Sequence, residues 1–253
     1  MHEFTAGTLR IITSASRAAM GERAGTHAAR AISEAIAREG AARIILASAP
    51  SQNETLAVLL ASPVDWSRVT IFHMDEYLGL PAEHPQTFRS YQRSHVLSKI
   101  TPRAFHGIAG ESADPAAECA RYSALLAEAP IHVCCLGIGE NGHLAFNDPP
   151  VADFADPALV KIVELDAACR QQQVNDGCFP ALSEVPTHAI TLTIPALMRA
   201  GHLICTVPGP RKAPAVLATV RGELTTACPA SIMRCHPFAA LYIDADSAAL
   251  LAG

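Results

Sequence analysis

A polar, glycine-rich loop follows the apolar run from Ile131 to Leu136, and this run predicts a buried strand. The loop brings three glycines together with groups able to transfer protons or accept hydrogen bonds: Gly137, Gly139, Glu140, Asn141, Gly142, His143, Asn147 and Asp148. Glycine lets a ligand approach the backbone closely, and imidazole and carboxyl groups suit acid–base catalysis. The spacing matches neither a dinucleotide fingerprint nor a P-loop. An ordinary turn is the alternative, because Asn-Asp-Pro-Pro also favours a turn.

Two adjacent carboxyl groups, Asp75 and Glu76, follow a second apolar run, Val69 to Met74, which also predicts a strand. Neighbouring residues of a strand point to opposite faces of the sheet. We therefore expect Asp75 and Glu76 to have different roles.

Two further segments have the composition of an anion site. The turn from Ser48 to Asn53 precedes a predicted helix, and the Ser48 and Ser51 hydroxyls could meet an anion there. An ordinary helix cap is the alternative for this turn. Arg211 and Lys212 open a later predicted helix, where two cations oppose the helix dipole. This unfavourable placement indicates that a bound anion offsets the repulsion between the two cations and the helix dipole.

The elements that must position these residues alternate between strand and helix along the whole chain. Strands are predicted over residues 9–13, 43–47, 69–74, 131–136, 159–165, 189–194, 202–207 and 239–244. Helices are predicted over residues 16–38, 54–60, 88–97, 116–127, 195–199 and 213–220, with Gly40 ending the first. This alternation predicts an α/β fold of three layers, a largely parallel, modified Rossmann-like sheet with helices on both faces. Ligands of such sheets bind beyond the carboxyl ends of the strands.

Composition excludes several classes of protein. With 253 residues, half of them hydrophobic, the chain can form a single domain over residues 1–253. A net charge of −5 argues against nucleic-acid binding. None of the eight cysteines forms a Cys-x-x-Cys pair, which gives a metal site little support. Without a secretory segment or an apolar run long enough to span a membrane, we expect a cytoplasmic protein with reduced thiols.

Three segments taken together resemble the glucosamine-6-phosphate deaminase family. They are Phe72-His73-Met74-Asp75-Glu76-Tyr77-Leu78-Gly79-Leu80-Pro81 with Glu83-His84-Pro85, the run Gly137-Ile138-Gly139-Glu140-Asn141-Gly142-His143-Leu144-Ala145-Phe146-Asn147, and Val185-Pro186-Thr187-His188-Ala189-Ile190-Thr191 followed by Gly209-Pro210-Arg211-Lys212-Ala213. The resemblance extends over most of the chain, to about Asp244. The related 6-phosphogluconolactonases share the fold and a Gly-His loop. Their loop resembles Asp-Gly-His-Thr-Ala-Ser, whereas His143-Leu144-Ala145-Phe146-Asn147 is similar to the deaminase form.

The resemblance implies an aldose–ketose isomerisation coupled to loss of ammonia, from glucosamine 6-phosphate to fructose 6-phosphate, without cofactor or metal. Asp75 matches the aspartate that moves a proton from sugar C2 to C1, and His143 matches the histidine that opens the ring. The family orients this histidine with two carboxylates, at positions held here by Asn141 and Asp148. Asn141 can still accept a hydrogen bond, but its missing charge should weaken stabilisation of the imidazolium.

For the sugar phosphate, the resemblance implies that Lys212 is a ligand and that Ser51 replaces a threonine. Ala49-Pro50 replaces the family's Gly-Gly, and Pro50 has no N–H to donate. The family has an arginine in the region that corresponds to Arg170 to Gly177. An ungapped alignment places Asp176 at its position, so Arg170 is the candidate for this arginine.

Some family members are activated by an N-acetylated sugar phosphate, bound through basic residues after the central loop. Val151 to Val160 contains no Lys or Arg, and Lys161 stands alone, so we expect no such activation. Two alternatives remain open: a sugar-phosphate lactone hydrolase, and a non-catalytic phosphosugar-binding protein suggested by Asn141 and Pro50. The sequence leaves the gluco- or galacto-configuration of the substrate open, and it is compatible with a homo-oligomer. No nucleic-acid or membrane partner is expected.

Overall fold

In the computed structural model, which describes residues 2–251, strands and helices alternate for most of the chain. The strands are β1 (Glu3–Ala6), β2 (Leu9–Thr13), β3 (Ala42–Leu46), β4 (Val69–His73), β5 (Asp75–Tyr77), β6 (Ala104–His106), β7 (Val133–Leu136), β8 (Val160–Glu164), β9 (His188–Leu192), β10 (His202–Val207) and β11 (Ala239–Ile243). The helices are α1 (Arg17–Glu39), α2 (Asn53–Ala61), α3 (Phe88–Gln92), α4 (Pro115–Ala127), α5 (Ala167–Asn175), α6 (Ile194–Met198) and α7 (Ala213–Arg221). A π-helical segment, Arg93–Leu97, continues α3, and short 3₁₀ turns lead into α2 (Pro50–Gln52) and α7 (Pro210–Lys212).

The central sheet has the strand order β1-β2-β11-β10-β7-β3-β4-β6. All its neighbouring strands are parallel except β1, which pairs antiparallel with β2 at the edge. The predicted α/β fold with a largely parallel sheet is therefore confirmed.

Alternate residues of the central strands feed two separate cores, one on each face of the sheet. In β3, Ile44 and Leu46 pack on the face that α1 and α2 cover, whereas Ile45 packs on the opposite face. Tyr122 of α4 and Val216 of α7 belong to that second core. Each buried aliphatic side chain of this kind contributes about 1.5–3 kcal/mol. Burial on both faces explains why the strand segments are continuously apolar rather than alternating.

Helix α1 shows how local sequence sets the boundaries of an element. Ser16 caps its first turn, because its hydroxyl accepts a hydrogen bond from the Ala19 N–H at 3.2 Å. Gly40 ends it in the left-handed conformation, with φ of 78°, and donates its N–H to the Ile36 carbonyl. The helix predicted over residues 16–38 is confirmed within one residue at either end.

A second, smaller sheet was not predicted. It has the order β5-β9-β8 and is antiparallel throughout. The segments of β8 and β9 were predicted as strands, but their alternation with helices pointed to the parallel sheet. Only one residue separates the end of β4 from the three residues of β5, so the sequence shows one strand where the structure has two. Edge strand β1 was also missed, because its short segment is mostly exposed.

Four neighbouring strands, in the order β10-β7-β3-β4, end at the same edge of the central sheet. From β3 the chain crosses to β4 on one side, and from β7 it crosses to β10 on the other side. The order of connection thus reverses between β3 and β7, which creates the crevice where ligands of open α/β sheets bind.

Candidate active site

Six of the residues predicted for the site line one cavity in this crevice. Each comes from a segment that follows one of the four neighbouring strands. They are Ser48 and Ser51 after β3, Asp75 after β4, Gly139 and His143 after β7, and Lys212 after β10. A carboxyl group, an imidazole, two hydroxyls and an ammonium group therefore face a common space.

The Asp75 carboxyl group is nearly buried and has no partner. Within residues 2–251 it makes no side-chain hydrogen bond or ion pair, although it lines the cavity. Burial raises the pKa of Asp75 well above its ordinary value, and the neighbouring Glu76 raises it further. A carboxylate with a raised pKa is a stronger base, and one without a partner is free to act on a bound molecule.

Glu76 faces the other way and has a structural role. Its carboxylate accepts hydrogen bonds from the backbone N–H groups of Tyr77, Phe88 and Arg89 at 2.9–3.0 Å. Burial raises its pKa to about 7, although these three bonds oppose the shift. Glu76 thereby holds the first turn of α3 and places Phe88 against the cavity. Asp75 and Glu76 therefore have different surroundings, as expected for neighbouring residues of a strand.

His143 is held by a carboxylate and an amide. Its Nδ1 lies 2.7 Å from Asp148 Oδ1, and Asn141 Nδ2 donates to the same oxygen at 2.9 Å. Although burial alone would raise it, the bond and charge of His143 keep the pKa of Asp148 below its ordinary value. An ionised Asp148 accepts, so the proton sits on Nδ1 and leaves Nε2 as the free ring nitrogen. Asn141 also accepts the His143 backbone N–H at 3.1 Å.

Gly139 leaves room for the imidazole. A Cβ at this position would lie 2.3–2.4 Å from three ring atoms of His143. The Gly139 N–H also donates to the His143 carbonyl at 3.0 Å, so the backbone and ring pack closely. The glycine therefore defines where the ring lies, while Asp148 defines how it is oriented.

Cys169 completes a buried group with His143 and Asp148, whose ligand atoms all lie within 4.8 Å of one another. Histidine, aspartate and cysteine are the donor types that bind zinc. However, burial and then the charge of Asp148 raise the pKa of the Cys169 thiol well above its ordinary value. Metal ligation requires the thiolate, so a metal ion would have to displace the proton of this thiol on binding.

Lys212 supplies a cation that lacks an anion. It is the last residue of the 3₁₀ turn before α7, and it is nearly buried. Burial lowers its pKa, an effect that Asp176 and Glu140 partly oppose. In the described part of the chain its ammonium group forms no hydrogen bond or ion pair. A lysine so placed is suited to a phosphate group in the cavity.

Arg170, the candidate phosphate ligand, lies outside the cavity, whereas Asp176, at the ungapped position of the family arginine, lies in its lining. Arg170 is outside the cavity lining, and its Nη2 donates to the carbonyls of Leu182 and Val185 at 2.7 and 2.9 Å. Asp176 lines the cavity and is paired with Arg211 at 2.9 Å. The structure thus gives Arg170 a local contact with a neighbouring loop and no contact with the cavity.

Two buried glutamines behind the cavity serines were not indicated by any motif. Gln52 contacts Ser51, and Gln92 contacts Ser48 from 44 positions away in the chain. Only the adjacency of Gln52 to Ser51 was visible in the sequence. Gln92 could not be linked to Ser48, because their contact depends on how α3 packs beside the end of β3.

Comparison with known proteins assigns the chain to a family. A family model described as glucosamine-6-phosphate isomerases/6-phosphogluconolactonase matches residues 15–241. The chain belongs to this family. It is therefore an enzyme of the glucosamine-6-phosphate isomerase/deaminase family, as the resemblance of its motifs predicted.

Relatives in the family agree with this assignment. The glucosamine-6-phosphate deaminase of Listeria innocua is 37% identical over 202 residues, which cover 79% of this chain and 84% of that protein. The solved structure of a monomeric glucosamine-6-phosphate deaminase matches with a TM-score of 0.87 at 26% identity, covering 95% of this chain and 99% of the other. The 6-phosphogluconolactonase of Trypanosoma cruzi shares the fold, with a TM-score of 0.75, 16% identity and full coverage of both chains.

None of the helices within residues 2–251 combines the length and apolarity required to cross a membrane.

Proposed function

We propose that this enzyme is a glucosamine-6-phosphate deaminase, which converts glucosamine 6-phosphate and water into fructose 6-phosphate and ammonia. One observation carries the proposal: the unpartnered Asp75 carboxyl lines the same cavity as His143 and Lys212. A relative that is 37% identical bears this name. Since water displaces the amine, the enzyme would be classed as a hydrolase of an amino sugar phosphate. It would serve amino-sugar catabolism, including that of N-acetylglucosamine.

The phosphate group would bind at the Lys212 side of the cavity. The Lys212 ammonium offers charge, and the Ser48 and Ser51 hydroxyls offer hydrogen bonds. Charge-assisted bonds of this kind are the stronger ones. They would fix one end of the sugar and leave its C1 and C2 between Asp75 and His143.

His143 would open the sugar ring. Its Nε2 is free because Nδ1 is engaged by Asp148. The imidazole would take the proton of the O1 hydroxyl as the C1–O5 bond breaks, and then donate a proton to O5, so that the histidine ends unchanged. Asp148 stabilises the transient imidazolium, and Asn141 holds Asp148 and the histidine backbone in place.

Asp75 would then move the proton that converts the aldose into the ketose. Its carboxylate takes the proton from C2, the electrons form the C1–C2 double bond, and O1 takes a proton from the ammonium group of the sugar. The same carboxyl returns the C2 proton to C1, which leaves an iminium at C2; water adds there and the amine leaves as ammonium. Burial makes Asp75 a stronger base. The ammonium group of an amino sugar beside it would favour its ionised form.

The direct test is incubation with glucosamine 6-phosphate while ammonia and fructose 6-phosphate are measured together. Equal amounts of both products are expected, and none is expected from an Asp75→Asn control. A parallel incubation with 6-phosphogluconolactone measures acid release. Acid release without ammonia would identify a lactone hydrolase, and binding of the phosphosugar without turnover would identify a non-catalytic binding protein. Activity of residues 1–253 alone would support our proposal that they form one domain.

A further inference from the structure

Each serine of the cavity has a buried glutamine behind it. Gln92, fully buried in α3, donates from Nε2 to Ser48 Oγ at 2.9 Å and to the Ala47 carbonyl at 3.4 Å. A carbonyl oxygen only accepts hydrogen bonds. The Ala47 carbonyl therefore favours the orientation in which the Gln92 amino group faces Ala47 and Ser48, because the reverse orientation would place Oε1 against the carbonyl oxygen; Oε1 then has no partner within the described residues.

Gln52 repeats this arrangement behind the second serine. Its Nε2 donates to Ser51 Oγ at 3.2 Å and to the Thr206 carbonyl at 3.3 Å. Its Oε1 accepts from the Thr206 hydroxyl at 2.9 Å. The Thr206 carbonyl fixes which end of the amide faces Ser51, by the same argument. Gln52 is 2% exposed, so water does not compete for these bonds.

These bonds determine what the serine hydroxyls can do. A hydroxyl has one hydrogen to donate and can accept with its lone pairs. Ser48 Oγ and Ser51 Oγ each accept from a glutamine, and neither hydroxyl donates to any other group within the described residues. Both serines line the cavity, so both hydroxyl hydrogens are available to an acceptor bound there.

We propose that Gln92 and Gln52 are positioning residues that hold the Ser48 and Ser51 hydroxyls as hydrogen-bond donors to the phosphate of the substrate. The inference rests on the proposed function for the identity of the ligand. Pro50 has no N–H to donate, so binding of the phosphate depends more on the two oriented hydroxyls. Gln92 does not line the cavity and would act through Ser48, whereas Gln52 also borders the cavity beside Ser51, so Gln92 gives the cleaner test.

A double-mutant cycle tests this separately from catalysis. The dissociation constants of inorganic phosphate and glucosamine 6-phosphate are measured by calorimetry, which requires no turnover. Ser48→Ala is expected to weaken binding at least tenfold, since bonds to charged groups are strong. Gln92→Met, which keeps the size but cannot donate, is expected to weaken it about fivefold. In the Ser48→Ala background, Gln92→Met should have no further effect.

Ser51→Ala provides the matched control. Gln92 contacts Ser48 and not Ser51, so Gln92→Met should keep its full effect in a Ser51→Ala background. Gln92→Glu gives a second contrast: a carboxylate accepts the Ser48 hydroxyl hydrogen and turns it away from the ligand, so binding should weaken more than with methionine. Rescue in that variant is expected as the pH falls and the glutamate takes up a proton.

The proposal is overturned if Gln92→Met weakens phosphate binding equally with and without Ser48, or if it has no effect while Ser48→Ala does. Absence of phosphate binding to the unmodified chain also overturns it. If a Gln92 variant does not fold, Gln52→Met with Ser51→Ala forms an independent cycle. If the effects of the two substitutions on phosphate binding are non-additive but no ammonia is released, the positioning role is supported and the proposed function is refuted.

Discussion

Gly139→Ala should displace the His143 imidazole, the proposed ring-opening group, without touching any charged group. The added Cβ would lie 2.3 Å from the nearest ring atom of His143, whereas carbon contacts are favourable at about 3.5–4.0 Å. The ring must therefore move by about 1 Å, which breaks its 2.7 Å bond to Asp148. A misplacement of about 1 Å lowers rates about 100-fold, or about 2.7 kcal/mol in the barrier.

The assay measures kcat and KM for glucosamine 6-phosphate through ammonia release. We expect kcat to fall about 100-fold and KM to change little, because Lys212 and the serines are untouched. Gly137→Ala is the matched control in the same loop. Its Cβ would meet Gln52 Nε2 at 3.1 Å, so only a shift of a few tenths of an ångström is needed. That variant should keep kcat and raise KM modestly.

Two outcomes would contradict this reasoning. A Gly139→Ala enzyme with kcat within threefold of the unmodified one, roughly, would show that the imidazole position is not limiting. A large rise in KM with unchanged kcat would place Gly139 at the phosphate rather than at the histidine. Thermal unfolding of both variants separates these results from a general loss of the fold.

Four further predictions follow from other groups. Asp75→Asn should lower kcat by about 10³-fold and leave phosphosugar affinity intact, as kinetics and calorimetry would show; equal loss of both would make its role structural. Asn141→Asp should replace the 2.9 Å bond to Asp148 by a second carboxylate near His143, which favours the imidazolium. The acidic limb of the pH–rate profile should then move to higher pH by about one unit; an unchanged profile would contradict this. Burial lowers the pKa of His73 to about 3, so only the unfolded state takes up its proton as the pH falls below 6.5. Between pH 7 and pH 5 the free energy of unfolding should therefore fall by about 2 kcal/mol more in the unmodified protein than in His73→Gln, as measured by denaturant titration. The same pH dependence in both proteins would contradict this. N-acetylglucosamine 6-phosphate should leave the initial rate unchanged, since Lys161 is bonded to the Val151 carbonyl and to Asp156; a sharp rise would contradict this.

The parallel sheet could be predicted because its strands are buried on both faces and therefore appear as continuous apolar runs. In β10 (His202–Val207) every residue after the first is buried, and the predicted bounds match the structure. The residues that follow such runs meet at one edge by geometry alone. This is why Asp75, His143 and Lys212 could be expected in one site although they are far apart in the chain.

Contacts that depend on packing between distant segments could not be predicted. β5 pairs Asp75 with Thr191 of β9, and no local pattern distinguishes that antiparallel pair from an extension of β4. Gln92 reaches Ser48 from α3, the first turn of which is held by Glu76. Arg170 had the right charge for a phosphate ligand, but nothing in its sequence surroundings showed that its guanidinium would bind loop carbonyls.

The stability of the fold argues for an enzyme rather than a phosphosugar sensor. Burying a charged or polar group without a partner destabilises a protein by several kcal/mol. Here an unpartnered carboxyl at Asp75 and an unpartnered ammonium at Lys212 line one cavity of the described chain. A sensor needs the ammonium, which a phosphate neutralises, but it gains nothing from the carboxyl. A buried, unpartnered carboxyl that opposes folding is explained by a proton that must be moved, which is the step that the isomerisation requires.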